Sequence, residues 1–306
     1  MYDPTNILRS FLTLPEIQLK TILAQFDTDL LPSTFDQVAA VDSNVEQLFS
    51  YGSVTPDNVT GLVHGLIFTR GPADLRHSAI FIGGSDVAAG EALLQKVSKT
   101  FFGPMRVSVM MDSNGCNTTA AAAIASARKH LNLAGCKVIV LGATGPVGLR
   151  VAELLALEKA HVTLVSRTLD RAESACRTIR TKVDCAQVTA ASASGPSDYE
   201  SVCQSTTMVV AAGAAGVCFL ESGALQRIQG LKLAIDLNAV PPAGIPDIDV
   251  TDKAAEKSGL ICYGAVGVGG LKMKVHRKAI ASLFESNDRI LEIRGIYDLA
   301  VQVAGS

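Results

Sequence analysis

The chain has 306 residues, 48% of them hydrophobic and only 18% charged, with 27 basic against 29 acidic side chains and a net charge of −2. That length suits two domains, and the apolar content suits a large buried core. The near-neutral balance lacks the basic footprint that nucleic-acid binding requires, and no run of 18 uninterrupted apolar residues offers a membrane span.

The first stretch, MYDPTNILRSFLTLPEIQLK, has neither the basic start nor the long apolar run of a secretory signal; residues 1–20 count as an N-terminal extension only by the resemblance given below. A short strand is expected over Thr21–Phe26, running into Asp27-Thr28-Asp29. Pro32-Ser33-Thr34 then starts a helix, with Ser33 or Thr34 at the cap. Thr55-Pro56-Asp57-Asn58 starts a second helix by the same logic. Strands are expected at about Gly65–Thr69, Ala79–Ile82 and Val107–Met111, and a helix from about Val87 to Phe101.

The Ala-rich stretch from Asn117 to His130 predicts a long helix bridging two domains, with Asn117 or Thr118 as its cap. Cys136–Leu141 is a buried strand opening the second domain. Further strands are expected at His161–Val165, Met208–Ala211, Leu233–Asp236 and Ile261–Tyr263, with a polar loop at Thr189–Ser197. Amphipathic helices over about Leu271–Glu285 and Ile290–Val303 close the chain, one of them crossing back onto the first domain.

Strands alternating with helices predict an α/β protein of two domains, each a mainly parallel sheet with helices, the second a Rossmann-type dinucleotide-binding domain. The expected boundaries are 21–130, with a return helix from about 271–303, and 131–270. Seven scattered cysteines, odd in number and without a C-x-x-C pair, predict neither a disulfide framework nor a zinc site, and suit the reducing cytoplasm.

The strongest local signal is Gly142-Ala143-Thr144-Gly145-Pro146-Val147-Gly148, between a strand and a helix. Glycine at the turn tolerates positive φ, Gly145 lets a pyrophosphate approach the backbone, and the helix N-terminus favours an anion. The next strand ends in Ser166-Arg167-Thr168, with Arg171 a turn later, where an NAD site usually places an acid for the ribose 2′-OH. A planar guanidinium suits a 2′-phosphate instead, so NADP is the expected cofactor and NAD the weaker alternative. Ala212 and Gly213 at another strand end would let the cofactor lie against backbone. Asn238 is a candidate for ribose or nicotinamide, although a turn-forming Asn reads nearly as well. In the first domain, Asp27 and Asp29 end a strand that should face the interdomain cleft, with Phe35 and Asp36 beside them. Asp112, Asn114 and Asn117 end another.

Several runs then carry a resemblance: QFDTD (25–29), GxVTPDNV (52–59), FFGPxRVSxMxDSNGxNTTAAA (101–122), TGPVGxR (144–150), NAxPPxGI (238–245) and GAxGxGGLKxKxHR (264–277). In order and over nearly the whole chain, these resemble the NADP-dependent methylene-tetrahydromethanopterin dehydrogenases. The resemblance implies reversible hydride transfer from the methylene carbon of a reduced pterin to NADP. It implies that the Asp27–Asp36 region contacts the pterin and that Lys272 is catalytic, with Lys274 and His276 following on the same segment. It also implies a homo-oligomer, a trimer being one expected form, although no physical feature of the sequence selects the number. No metal is expected, because the two nitrogens flanking the one-carbon unit stabilise the cation themselves.

Three other readings stand beside it. Methylene-tetrahydrofolate dehydrogenases share the chemistry, but their Y-x-x-x-K pair is absent from the first domain. The run Ser166–Ala172 resembles the NADP loop of shikimate dehydrogenases, without a matching Lys–Asp pair near the start. An NADP-sensing module would bind the cofactor and turn nothing over.

Overall fold

The computed structural model describes residues 19–305; most of the expected N-terminal extension lies outside them. In chain order the elements are β1 (Ile22–Asp27), α1 (Thr34–Val41), β2 (Gln47–Tyr51), α2 (Val59–Ile67), β3 (Ser78–Gly83), α3 (Val87–Thr100), β4 (Ser108–Met111) and α4 (Cys116–Arg128). The second half continues with β5 (Lys137–Leu141), α5 (Pro146–Leu157), β6 (His161–Ser166), α6 (Leu169–Lys182), β7 (Val188–Ser192), α7 (Pro196–Val202), β8 (Met208–Ala211), α8 (Ala224–Arg227) and β9 (Leu233–Asp236). It closes with β10 (Lys253–Lys257), β11 (Leu260–Tyr263), α9 (Ala265–Ser282), β12 (Ile290–Leu291) and α10 (Ile293–Gly305).

These build two sheets. The first, ordered β12-β4-β3-β1-β2, is parallel throughout. The second, ordered β10-β11-β9-β8-β5-β6-β7, is parallel except for the terminal β10–β11 pair. Reading β5 as its first strand and leaving out the antiparallel edge strand β10 gives the 3-2-1-4-5-6 order of a dinucleotide-binding sheet, while the first sheet follows the 2-1-3-4-5 doubly wound order. Each order reverses once, between β1 and β3 and between β5 and β8. Ligands of such sheets sit outside the carboxyl ends of the strands at those reversals.

Between the sheets lies a helical layer centred on α4, where every residue from Cys116 to Ala127 except Thr119 is buried. Its alanines let α5, α9 and α10 approach closely, and one continuous core runs from Leu23 and Phe81 through α4 to Val138 and Leu164. Separate cores fill the outer faces: Phe26, Val63 and Leu93 under α2 and α3, and Leu141, Val209 and Phe219 beyond the second sheet. The chain crosses back twice. Helix α9 packs on α4 and α1, then β12 adds to the first sheet beside β4.

Three sequence expectations are corrected, and one strand is added. The segment Gly65–Thr69 is not a strand: Val59, Val63 and Ile67 recur at four-residue spacing and are all fully buried, which makes α2 a helix through Ile67. Neither Asn117 nor Thr118 caps α4. Both lie inside it, and the Asp112 carboxylate accepts from their backbone N–H groups at 2.9 and 3.0 Å. The polar run Thr189–Ser197 is the edge strand β7 followed by the start of α7, its polarity reflecting a half-exposed edge. Strand β2 escaped notice for the same reason, being an edge strand with mostly exposed side chains.

Candidate active site

At the first reversal, a cavity of about 330 Å³ opens between the loops after β1, β3 and β4. Its frame is set by Asp27, which is fully buried. One carboxylate oxygen of Asp27 accepts from Asp29 N–H at 2.9 Å and the other from Ser33 N–H at 3.0 Å, folding the β1–α1 loop back on the strand end. Asp29 in turn accepts from the Ser85 N–H at 3.0 Å and hydroxyl at 2.9 Å, tying this loop to the one after β3. Ser33 caps α1 by accepting from Asp36 N–H at 3.3 Å, which presents Phe35 and Asp36 to the cavity.

The third loop turns sharply: Asn114 and Gly115 both hold left-handed backbone, φ 56° and 57°. A non-glycine in that region marks stored strain of about 1–3 kcal/mol, of the kind found at ligand sites. Lys272, from α9, lies over this turn, its Nζ 3.6 Å from where a Gly115 Cβ would stand. The same Nζ is 4.2 Å from the Phe35 ring centroid, a cation–π contact. Burial pushes the Lys272 ammonium below the usual lysine range, against the pull of Asp112 and Asp36. Burial likewise raises the Asp36 carboxyl, opposed by His276, Ser33 and Lys272. The pocket therefore draws both groups towards their neutral forms.

Of the eight residues expected here, Asp29, Phe35, Asp36, Asn114 and Lys272 line the cavity. Asp27, Asp112 and Asn117 do not; they are buried behind it and hold its loops. Asp112 anchors the start of α4, with its second oxygen also accepting from the Thr118 hydroxyl at 2.6 Å. The Asn117 amide donates to Met111 O at 2.7 Å. A carboxylate at a strand end turns inward as readily as outward, and only the loop decides. Ser33, Gly84, Ser85, Gly115 and Thr119 also line the cavity; Ser33 was read only as a helix cap, Gly115 and Thr119 only as part of the 101–122 run, and Gly84 and Ser85 carried no sequence signal. His276 was noticed only as a neighbour of Lys272. Its one signal was the four-residue spacing that places both on one helix face.

The second reversal carries a cavity of about 310 Å³. Gly142 turns the chain out of β5 at φ 72°, and a Cβ there would stand 2.7 Å from Gly213 Cα, so glycine is required on both counts. Gly145 is the N-cap of α5 and Pro146 its first residue, where a missing N–H costs nothing. Unpaired amides of that first turn are suited to a pyrophosphate.

Gly142, Thr144, Gly145, Ser166, Arg167, Arg171, Ala212 and Gly213 line this cavity. Pro146, Val147 and Thr168 do not; Thr168 is the N-cap position of α6 and exposed. Asn238 stands apart, its amide donating to Pro242 O at 2.9 Å and its oxygen accepting from Val240 N–H at 3.1 Å, so it builds its own turn. The sequence reading missed Tyr199 and Phe219. Their rings meet edge to face with centroids 5.1 Å apart, and Phe219 occupies the space a Gly213 side chain would need. With a glycine turn at a helix start and two guanidinium groups on the rim, the residues present fit a dinucleotide carrying a 2′-phosphate.

The two cavities are linked by α9. It begins at the carboxyl edge of the second sheet, directly after β11, and delivers Lys272 to the first cavity roughly 10 Å along its axis. Two mainly parallel sheets, each with a cavity at its order reversal and one of Rossmann order, define a two-lobed dehydrogenase.

Comparison with known proteins narrows the class. Residues 34–114, which carry Phe35, Asp36 and Asn114, match the family described as methylene-tetrahydromethanopterin dehydrogenase, N-terminal. The bifunctional protein MdtA of Methylorubrum extorquens is 45% identical over 289 residues, covering 93% of this chain and 99% of that protein. The NAD(P)-dependent methylenetetrahydromethanopterin dehydrogenase of the same organism is 30% identical over 283 residues, covering 89% and 95%. This chain belongs to the methylene-tetrahydromethanopterin dehydrogenase family. Quinate dehydrogenase from Corynebacterium glutamicum, solved with NAD, superposes with a TM-score of 0.54 over 92% of this chain and 99% of its own, at 12% identity, a likeness of fold.

Proposed function

We propose that this protein catalyses reversible hydride transfer between the methylene carbon of a tetrahydromethanopterin-type pterin and NADP, giving the methenyl pterin and NADPH. The observation that carries this reading is the delivery of Lys272 by α9 from the edge of the dinucleotide sheet into the cleft of Asp36 and Phe35. Residues 21–130 with the return segment of about 271–303 form the substrate domain in this reading, and 131–270 the NADP domain.

When bound, the nicotinamide supplies the hydride acceptor. The protein's part is placement and electrostatics. The Gly142–Gly145 turn and the start of α5 hold the pyrophosphate, while Arg167 and Arg171 pair with the 2′-phosphate; NAD, lacking it, is the weaker alternative. Phe35 offers a flat apolar face to the pterin ring. Asp29 and Asp36 accept from its N–H groups.

As the methylene C–H bond breaks, its electron pair leaves with the hydride and the positive charge spreads over the two flanking nitrogens. No proton moves in that step, so no general base is needed. The carboxylate of Asp36 favours the emerging cation. A Lys272 held partly towards its neutral form opposes it less than a fully solvated ammonium would.

No helix among the described residues is long and apolar enough to cross a membrane. Cytoplasmic residence and assembly into a homo-oligomer, a trimer by family resemblance, complete the proposal. Following NADPH absorbance with methylene-tetrahydromethanopterin, against methylene-tetrahydrofolate and against NAD, tests substrate and cofactor together.

A further inference from the structure

His276 lies one turn beyond Lys272 on α9, so the two side chains leave the helix on the same face. Its ring is fully buried, and neither nitrogen has a hydrogen-bond partner at ordinary distance. Both nitrogens nonetheless face acids: Nδ1 is 3.4 Å from Asp112 Oδ2, and Nε2 is 4.0 Å from Asp36 Oδ1. Phe81 and Phe35 wall the ring on its other sides, with centroids 5.6 and 6.3 Å away. An unpaired buried polar group destabilises the fold. A leucine would fill the same space without that cost, so the imidazole is explained by what it does to the two carboxylates.

Those carboxylates differ in freedom. Asp112 is pinned by two backbone N–H groups and the Thr118 hydroxyl. Asp36 lines the cavity beside Lys272. The geometry points to His276 as a positioning residue that tethers Asp36 to the anchored Asp112, donating an N–H to each, and so presents Asp36 to the pterin as an ionised carboxylate. This rests on the pterin dehydrogenase reading above. Catalytic hydrogen bonds are often long before ligands bind and shorten in the complex, which accommodates the 3.4 and 4.0 Å separations.

Only a ring with a proton on each nitrogen donates in both directions. The charged groups around it are Asp36 from α1, Asp112 from the end of β4 and Lys272 from its own helix. The methenyl cation then emerges facing a carboxylate whose own counter-charge lies behind it, away from the substrate.

The test uses His276→Gln, which keeps one donor, and His276→Leu, which keeps none. Steady-state kinetics with methylene-tetrahydromethanopterin and NADP are followed across pH, together with NADPH binding and thermal melting. His276→Leu is expected to lower kcat/KM for the pterin tenfold or more and to move the acid limb of its pH profile upward, because Asp36 loses the cation that keeps it ionised. NADPH affinity and folding stay intact, and His276→Gln falls between. A wild-type pH limb and kcat/KM in His276→Leu would overturn the tether, as would an equal loss of NADPH binding.

Should both variants fail to fold, nitrogen-15 NMR of the wild type decides. The chain has five histidines, and one buried ring whose two N–H groups both couple to carboxylates is expected; a buried ring lacking either N–H contradicts it. If the wild type oxidises no pterin, the dehydrogenase reading fails on its own, and the ring's proton count still judges the tether.

Discussion

Lys272 and Phe35, far apart in sequence, meet with the lysine Nζ 4.2 Å from the ring centroid, and that contact joins the helix that follows the second sheet to the first helix of the first lobe. A buried cation over an aromatic face is worth about 0.5–2 kcal/mol. It fixes the ammonium against the cleft rather than in solvent. Lys272→Ala removes that contact and the positioning of Phe35 and Asp36 that goes with it, so it is expected to lower kcat/KM for the pterin by roughly 2- to 30-fold, chiefly through KM. NADPH affinity, measured by fluorescence titration, should change little. An equal loss of NADPH binding would place Lys272 in the cofactor site instead.

Arg167 and Arg171 stand where an acid would otherwise accept from the ribose. Charge-assisted hydrogen bonds contribute about 1.5–3 kcal/mol each, and each 1.4 kcal/mol is tenfold in affinity. Arg167→Ala is expected to weaken NADP binding by roughly 10- to 100-fold and leave NAD binding unchanged, read as the ratio of the two KM values. A parallel loss for both cofactors would remove the 2′-phosphate assignment.

Gly142 carries φ 72° and has no room for a Cβ beside Gly213. Gly142→Ala should destabilise the second lobe by about 1–3 kcal/mol and abolish NADP binding. Thermal melting and isothermal titration check the two parts separately.

Burial raises Asp36 and lowers Lys272, which sets the sign of their contributions to stability. Folded Asp36 holds its proton to higher pH than the unfolded chain does, so its stabilising contribution is present at acid pH and is lost as pH rises through its folded value. Folded Lys272 releases its proton early, so its contribution is present above the ordinary lysine range and is lost as pH falls. Near neutrality both ionised groups work against folding. Asp36→Asn should then melt higher than wild type at pH 7, the difference shrinking towards pH 4, while pterin turnover falls. A variant that melts lower at pH 7 would contradict this balance.

Arg150 of α5 is buried and bridges Glu91 of α3 and Glu153 of its own helix, with Lys182 beside both acids. It is an ionic contact between the lobes. Removing one partner of a buried pair costs about 3–5 kcal/mol because the other charge is stranded. Arg150→Ala should cost less than that, because Lys182 remains 3.7 Å from the buried Glu153, and Glu91→Ala less again because Glu91 is partly solvated. Urea denaturation of both variants provides the comparison.

The sequence was most legible where short-range chemistry dictates the answer. The Gly142–Gly148 turn needs a strand before it and a helix after it, all within a few residues, and Arg167 follows at a fixed place on the next strand. The buried central strands announced themselves as apolar runs. Edge strands β2 and β7 did not, because half their side chains face water. The run ending in Leu66-Ile67-Phe68 was apolar enough to pass for a strand, and only the four-residue spacing of Val59, Val63 and Ile67 marks it as helix. The first cavity was legible in part. Asp29, Phe35, Asp36 and Asn114 line it, whereas Asp27, Asp112 and Asn117 turn inward to hold its loops. Inward and outward carboxylates have the same sequence signature, and His276 meets its acids only through tertiary packing.

The central claim is best tested by mixing the purified protein with methylene-tetrahydromethanopterin and NADP and recording NADPH absorbance. Rapid NADP reduction, slower with NAD and slower with methylene-tetrahydrofolate, is the predicted result. NADP binding without oxidation of either pterin would contradict it and return the protein to the NADP-binding modules.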